Sequence, residues 1–390
     1  MDSMLEVSLV DDVRGFEELQ SDWEGLAGEN IFRSWAWLFS WWQAFAHLGQ
    51  LNILVCRNRA REIVGIAPWY VTDQFAQGRV IRFLGTGKAC SEYLGLLCGN
   101  GQEPAVGEAI ADWLVNGSSR EWDAIELEAV TSDDVSTMCF IDELRQRKAR
   151  TITQPGMPCW RVELPATWDE FVGRLGGNDR KKTRQGIREL IDSGLATLQV
   201  ATDQAQLLHS WNEFKNLHER RRAMFDGDHC FLTPGFEAFL ISALQRLLEA
   251  DRLHFATLKI DDRPAALSIG LVAGGTFLMY QCGMEPELRK FSPGWMLNAL
   301  NIRDCIGKSF HSFDFLRGDE SYKSRFKAKP LSTVCYRITA PRAVSRLRGR
   351  VWSASNTLRN IGKAIYRSQD GGSSARTDSG AGSHPAVKSK

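Results

Sequence analysis

The chain has 390 residues, of which 43% are hydrophobic and 24% charged, with a net charge of +1. That length suits two domains, and the near-neutral balance supplies no field for DNA or other nucleic acid. Nine cysteines without a C-x-x-C pair read as reduced thiols, which excludes a disulfide frame and a zinc site.

No stretch reaches the 18 apolar residues of a membrane span. The start, MDSMLEVSLVDDVRGFEELQ, lacks a signal peptide's apolar core, so a cytoplasmic location is expected. In chain order, IFRSWAWLFSWWQAF predicts a helix capped by Ser34, with Trp37 and Trp41 on one packing face. LNILVCRNRAREIVGIAPWYV then reads as strand, charged turn and strand. After RFLGTG comes KACSEYLGLL, with Lys88, Glu92 and Tyr93 but no dense charge cluster. This half reads as a worn copy of a unit repeated later in the chain. TITQPGMPC marks a break near 150–160.

Beyond it, LGGNDRKKTRQGIREL places Lys181, Arg184 and Arg188 on one helical face at i, i+3 and i+7. Such a face grips phosphates or another anion, or is simply solvated. NLHERRRAMFDGDH puts His218 and Arg222 on one face. His218 is a candidate base or a structural hydrogen-bonding group, and Arg222 a candidate substrate contact. No second histidine is spaced to join His229 on a metal. CFLTPGFEAFLISAL, with Thr233 as expected cap, and LHFATLKIDDRPAALSIGLVA repeat the earlier order. An offset of about two hundred residues suggests a duplicated α/β unit.

Strands are expected at 253–260, 264–273, 276–283 and 312–316. ELRKFSPGWMLNALNIRDCIGKS predicts a helix with Pro293 in its first turn, Ser292 as cap, Leu297, Leu300 and Ile306 inward, and an exit at Gly307. Arg289 and Lys290 precede its N-terminus, where free N–H groups favour an anion, and Gly294 allows close approach. FDFLRGDESYKSRF then runs a buried strand into Arg317, Asp319, Glu320, Tyr322, Lys323 and Arg325. This is either a salt-bridged surface turn or a site. Residues 341–367 form a basic amphipathic pattern in which Val344, Leu347, Val351, Ala354, Leu358, Ile361 and Ile365 make one stripe. It reads either as a docked helix or as a peripheral membrane contact.

A meander feeding an anion-friendly helix and then a strand resembles the core of GNAT acyltransferases. FSPGWMLNALNIRDCIGKSFHSFDFLRGDESYKSRF is similar to the C-terminal signature of the GNAT-like "cellulose biosynthesis protein" group, related to FemABX peptidyltransferases. DWEGLAG, FRSWAWLFSWWQAF, IVGIAPWY and RFLGTG with YLGLL fit it too, so the resemblance spans residues 15–335. The chain departs from the usual Q/R-x-x-G-x-G/A loop: it reads R-K-F-S-P-G-W, with bulky Trp295 where glycine or alanine is usual.

The resemblance implies an α/β (α+β) fold of tandem GNAT-like domains, each a mixed, mostly antiparallel sheet flanked by helices. The expected division is 1–155 for a degenerate domain, 156–340 for the acyltransferase domain, 341–369 for the basic helix and 370–390 for a disordered tail. The implied activity is transfer from acyl-coenzyme A, without a metal, to an amine or hydroxyl of a sugar, glycan or envelope precursor. Catalytic roles then fall to Lys323, Tyr322, Asp319, Glu320 and His218. Cofactor contacts fall to Arg289, Lys290, Ser292, Gly294, Lys181 and Arg184, and substrate contacts to Arg317 and Arg222. The alternatives are a FemABX-like transferase using aminoacyl-tRNA and a non-catalytic scaffold for polysaccharide biosynthesis.

Overall fold

A computed structural model describes residues 5–117, 122–222 and 230–354, with the backbone alone for 218–222 and 230. The first half begins with β1 (Glu6–Val10), α1 (Val13–Glu18) and α2 (Gln20–Ala27), followed by α3 (Trp35–Phe45). Ser34 caps α3 as expected, its hydroxyl accepting from the Trp37 amide at 3.3 Å. Next come β2 (Gln50–Leu51), β3 (Ile53–Arg57), β4 (Ile63–Ala67), β5 (Trp69–Gln74), β6 (Gly78–Phe83) and β7 (Leu97–Cys98). Pro68, which has no N–H to give a ladder, separates β4 from β5. The strands accordingly divide between a four-stranded sheet, β1-β3-β4-β7, and a six-stranded one. α4 (Glu103–Asn116), β8 (Ala124–Thr131), α5 (Val135–Gln146) and β9 (Arg150–Pro155) complete this half.

The chain then crosses over. β10 (Cys159–Glu163) leads to α6 (Trp168–Arg174), α7 (Gly177–Gly186), β11 (Ala196–Val200), α8 (Gln204–Arg222) and α9 (Phe236–Glu249). The meander follows as β12 (Leu253–Ile260), β13 (Arg263–Ala273) and β14 (Thr276–Met284), within one residue of the expected bounds. Alternation divides its side chains between two cores: Phe255, Leu267, Ile269 and Leu271 face the first half, whereas Ala256, Leu258 and Ile260 face α10 (Pro293–Gly307). β15 (Ser312–Arg317), α11 (Tyr322–Arg325), β16 (Lys329–Leu331) and β17 (Thr333–Thr339) end the domain-scale structure.

Two strands are exchanged between the halves. β10 pairs with β15 and β16 in the seven-stranded sheet β11-β12-β13-β14-β15-β10-β16, and β17 lies between β8 and β9 in the six-stranded sheet β2-β5-β6-β8-β17-β9. Registers match: β6 and β8 run parallel with Val80 opposite Ala124, as β14 and β15 do with Thr276 opposite Ser312. At equivalent positions the exchanged strands carry an arginine facing a carboxylate, Arg337 to Glu126 and Arg161 to Asp314. The other pairings in these two sheets are antiparallel.

The repeated helices meet at the interface. α3 and α9 each follow a short 3-10 turn, Ile31–Arg33 and Cys230–Leu232. Trp37 stands edge-on to Phe239 at 4.9 Å between ring centres, and an Arg246 guanidinium N–H donates to Ser40 Oγ at 3.1 Å. Thr233 is not the cap of α9. The helix starts at Phe236 behind Gly235, whose φ of +86° and approach to the Ala44 carbonyl suit a residue without Cβ.

Because β17 completes the first half's sheet from the end of the chain, the halves are expected to unfold together. Ile338→Ala, at a fully buried site on β17, should cost about 2–4 kcal/mol. Urea titrations read by tryptophan fluorescence and by circular dichroism should give one coincident transition; two separated transitions would contradict mutual completion.

Candidate active site

β15 has two edges and cannot follow both neighbours. It pairs with β14 only from Ser312 to Asp314. At its end it follows β10 instead, with Arg317 opposite Cys159. Leu316, at φ +55°, turns the strand, and Asp314 Oδ1 accepts its amide at 2.8 Å. β14 continues without β15 beyond Leu278, and its free end, with α10 and α11, bounds a cavity of about 260 Å³. Cys282, Gly283 and Met284 of β14 line it, with Gly294 and Asn298 of α10 and Tyr322 and Arg325 of α11.

A second cavity of about 300 Å³ adjoins it, sharing Lys182 and Ser292. Lys181, Lys182 and Lys290 line this one, and Arg289 lines the first. Among the described residues none of these four cations forms an ion pair. Burial, with the nearby Arg325 charge, lowers the Lys182 pKa. The N-terminus of α10 lies between the cavities, and the first-turn N–H groups of Gly294 and Trp295 have no acceptor within the helix. Ser292 precedes the helix as expected but does not cap it: its φ is +52° and its hydroxyl makes no cap bond. A Cβ built on Gly294 meets only Met284 Sδ, at 3.4 Å, so the space beside it is open.

Trp295 is turned into the protein. It stacks on Phe326 at 4.0 Å, and its indole N–H donates to Thr183 Oγ1 at 3.0 Å. Lys182 and Arg325 lie over its ring at 5.1 and 4.9 Å. Arg325 also pairs with Asp179 of α7, so the tryptophan ties α7, α10 and α11 together.

The expected face of Lys181, Arg184 and Arg188 is corrected at Arg188 alone, which lies beyond the end of α7. α7 gives way to a π-helical turn over Ile187–Asp192, which breaks the 3.6-residue phase. Lys181, Lys182, Gln185 and Glu189 line the cavity. Arg184 is exposed outside it, and Arg188 stands 3.9 Å from Glu189.

The charged stretch after β15 separates into distinct roles. Lys323 is buried at 2% exposure, and its ammonium donates to the carbonyls of Leu316 at 3.2 Å, Arg317 at 2.6 Å and Gly318 at 3.4 Å. Glu320 reaches it at 3.0 Å. Lys323 therefore fixes the turn that carries Asp319 and Glu320, both exposed. Tyr322 lines the first cavity with its ring edge-on to Phe315. His218 and Arg222 lie on α8, and their side chains are outside the described residues.

Arg317 points to the first half, pairing with Glu92 and donating to the Ser91 carbonyl at 2.9 Å. Beside it, Asp314 accepts from the Tyr93 hydroxyl at 2.7 Å and from Arg161 Nε at 3.0 Å. Burial holds the Asp314 and Glu92 carboxyls above the usual range, despite their arginines. Sequence reasoning passed over Asp314 and Arg161. The signal was a carboxylate alternating with phenylalanines in a strand, since a buried charge requires a partner.

Among the described residues the place in the first half that corresponds to the first cavity is occupied. Loop 84–96 fills it, with the Leu94 amide donating to the Ala129 carbonyl at 3.1 Å and Leu94 and Leu96 both 1% exposed. α4, the counterpart of α10, carries Glu103 in its first turn, a charge that opposes an anion.

Residues 177–324, which run from α7 into α11, match the family model described as an acetyltransferase (GNAT) domain. The second half carries a GNAT domain. The fold of the chain is similar to that of FemX, with a TM-score of 0.59 at 9% identity over 85% of this chain and 96% of that one. It is also similar to the C-terminal domain of a protein from Agrobacterium fabrum assigned as lysylphosphatidylglycerol synthetase (0.53, 9%, 88% and 96%). For L-PGS from Bacillus licheniformis the values are 0.50, 12%, 86% and 95%. At these identities the likeness is one of fold, and curated protein sequences give no match. The GNAT domain match takes in the charged turn and every residue lining the two cavities except Arg325.

Glu92→Gln should leave the half-buried Arg317 without its counter-charge and cost about 2 kcal/mol in urea denaturation. An unchanged midpoint would show that the pair does not hold the halves in register.

Proposed function

We propose that the protein transfers an acyl group from acyl-coenzyme A to an amine or hydroxyl of a sugar, glycan or envelope-precursor acceptor. One observation carries the reading: the cavity at the free end of β14 adjoins a helix N-terminus surrounded by Lys181, Lys182, Arg289 and Lys290. A pyrophosphate is matched by the cations and N–H groups, and an acyl thioester by the mostly apolar cavity. Trp295 does not obstruct this seat, because its ring is packed against Phe326.

In the reaction the acceptor nitrogen or oxygen attacks the thioester carbonyl. The C–S bond breaks, the acceptor gives up a proton, and the thiolate takes one. Tyr322, on the cavity wall, is placed to supply the thiolate's proton. Asp319 and Glu320, on an exposed turn, are accessible to the acceptor's proton. Lys323 acts as a positioning residue for that turn, and Arg317 as a strut that sets the first half beside it. With its own gap filled, the first half serves as a wall of the acceptor groove.

A second reading is aminoacyl transfer from aminoacyl-tRNA. Arg184 and Arg188 favour it, since they extend the positive surface of α7 beyond the cavities. The name of the Agrobacterium relative, a lysylphosphatidylglycerol synthetase, agrees with it.

Acetyl- or longer acyl-coenzyme A at a hundred times its Kd should raise Tm by about 3–5 °C. Gly294→Leu should abolish that shift while leaving the Tm of the free protein in place, because the added side chain occupies the seat. Tyr322→Phe should lower kcat with KM little changed. A shift with tRNA and none with any ester would replace the first reading by the second.

Affinity should also depend on pH. Lys182 binds phosphate only when charged, and its lowered pKa means that the charge is lost earlier as pH rises. Kd for coenzyme A should therefore weaken on the alkaline side before an ordinary lysine would titrate. Lys182→Arg should flatten the profile; an unchanged profile would remove Lys182 from the seat.

A further inference from the structure

Helix 343–354 is docked with its polarity reversed. Ser345 is 1% exposed and donates to Asp123 Oδ1 at 2.6 Å, and Arg348 reaches Asp123 Oδ2 at 2.6 Å. Gly349 lies against Thr339, where an added Cβ would come within 3.1 Å of Oγ1. The Arg337 guanidinium stands 4.1 Å over the Trp352 ring. Ser345, Gly349 and Trp352 thus mark the face that meets the protein.

The opposite face is apolar and uncovered among the described residues. Val344, Leu347 and Val351 are 61%, 62% and 52% exposed. At 100° per residue they centre on the side away from the docked face. A helix that only completes a fold directs such a stripe inward. Arg346 and Arg350, both exposed, flank it. Phe75, wholly exposed at the tip of the β5–β6 hairpin, shares with Val344 a cavity of about 660 Å³ that Arg79, Arg342 and Arg348 also line. The sequence extends the pattern through Leu358, Ile361 and Ile365 with Arg359, Lys363 and Arg367, outside the described residues, and residues 341–367 contain no acid.

We propose that this face lies on an anionic lipid bilayer, with Phe75, Val344, Leu347 and Val351 in the headgroup layer and the arginines on lipid phosphates. Charge decides against a second copy of the chain. A twofold contact through this face would bring two sets of Arg346 and Arg350 together, with Asp73 the one exposed acid among the residues lining the cavity beside Val344. An anionic surface supplies the counter-charge and accepts the apolar stripe. The inference does not depend on which acyl donor the active site takes.

The test is flotation of the full chain with vesicles of equal parts phosphatidylglycerol and phosphatidylcholine, beside vesicles of phosphatidylcholine alone. Binding should require phosphatidylglycerol and weaken with salt. Leu347→Asp with Val351→Asp should reduce partition roughly tenfold or more, with Tm unchanged because both sites are exposed. Arg346→Gln and Arg350→Gln should each reduce it about fivefold. Absence of binding to the anionic vesicles would overturn the proposal, as would binding undiminished in the double variant. So would a dimer seen by light scattering that the double variant dissociates without any lipid binding.

Discussion

The structure depends on how β15 shares its two edges. Pairing with β10, a strand that the first half of the chain delivers, draws the end of β15 away from β14 and opens the gap. β10 keeps the other edge of β15 paired to its end, so the strand stays in the sheet where it leaves β14. The exchanged strand thus builds the second sheet and also leaves free the end of β14 that bounds the cavity. In the first half β17 plays the same part beside β8, and there a loop fills the opening.

The buried charges at the junction follow from that arrangement. Asp314 and Leu316 project from the face of β15 that meets the first half, whereas Phe313 and Phe315 project into the core under α10. A carboxylate on that inner face needs donors, and Arg161 and Tyr93 supply them from opposite sides. Such clusters add little net stability, because desolvation offsets most of the attraction. Their effect is geometric: a rotation of one half against the other would strand Asp314, Glu92 and Arg317 without partners. The turn bearing Tyr322 is therefore fixed from two directions, by Lys323 beneath it and by the first half beside it.

Much of this was legible where local chemistry decides. The meander, the Ser34 cap, Pro293 at the start of α10 and the short strand before the charged turn depend on period-two patterns, caps and proline, which sequence carries directly. The cations around the start of α10 were legible in the same way, from Arg289 and Lys290 before a helix. What depended on distant partners was not. Nothing near Lys323 announces that its ammonium closes a turn, and nothing near Glu92 announces Arg317, 225 positions later. Arg188 lost its expected phase with Lys181 and Arg184 to a π-helical turn, which leaves no local mark in the sequence.

Hydrogen–deuterium exchange of the full chain, with and without an acyl-coenzyme A ester, tests the central claim most directly. The account predicts slowed exchange in α7, at the end of β14, in the first turns of α10 and in α11, with loop 84–96 and the first half's sheet unchanged. Protection centred on the first half, or none at a saturating ester, would contradict it.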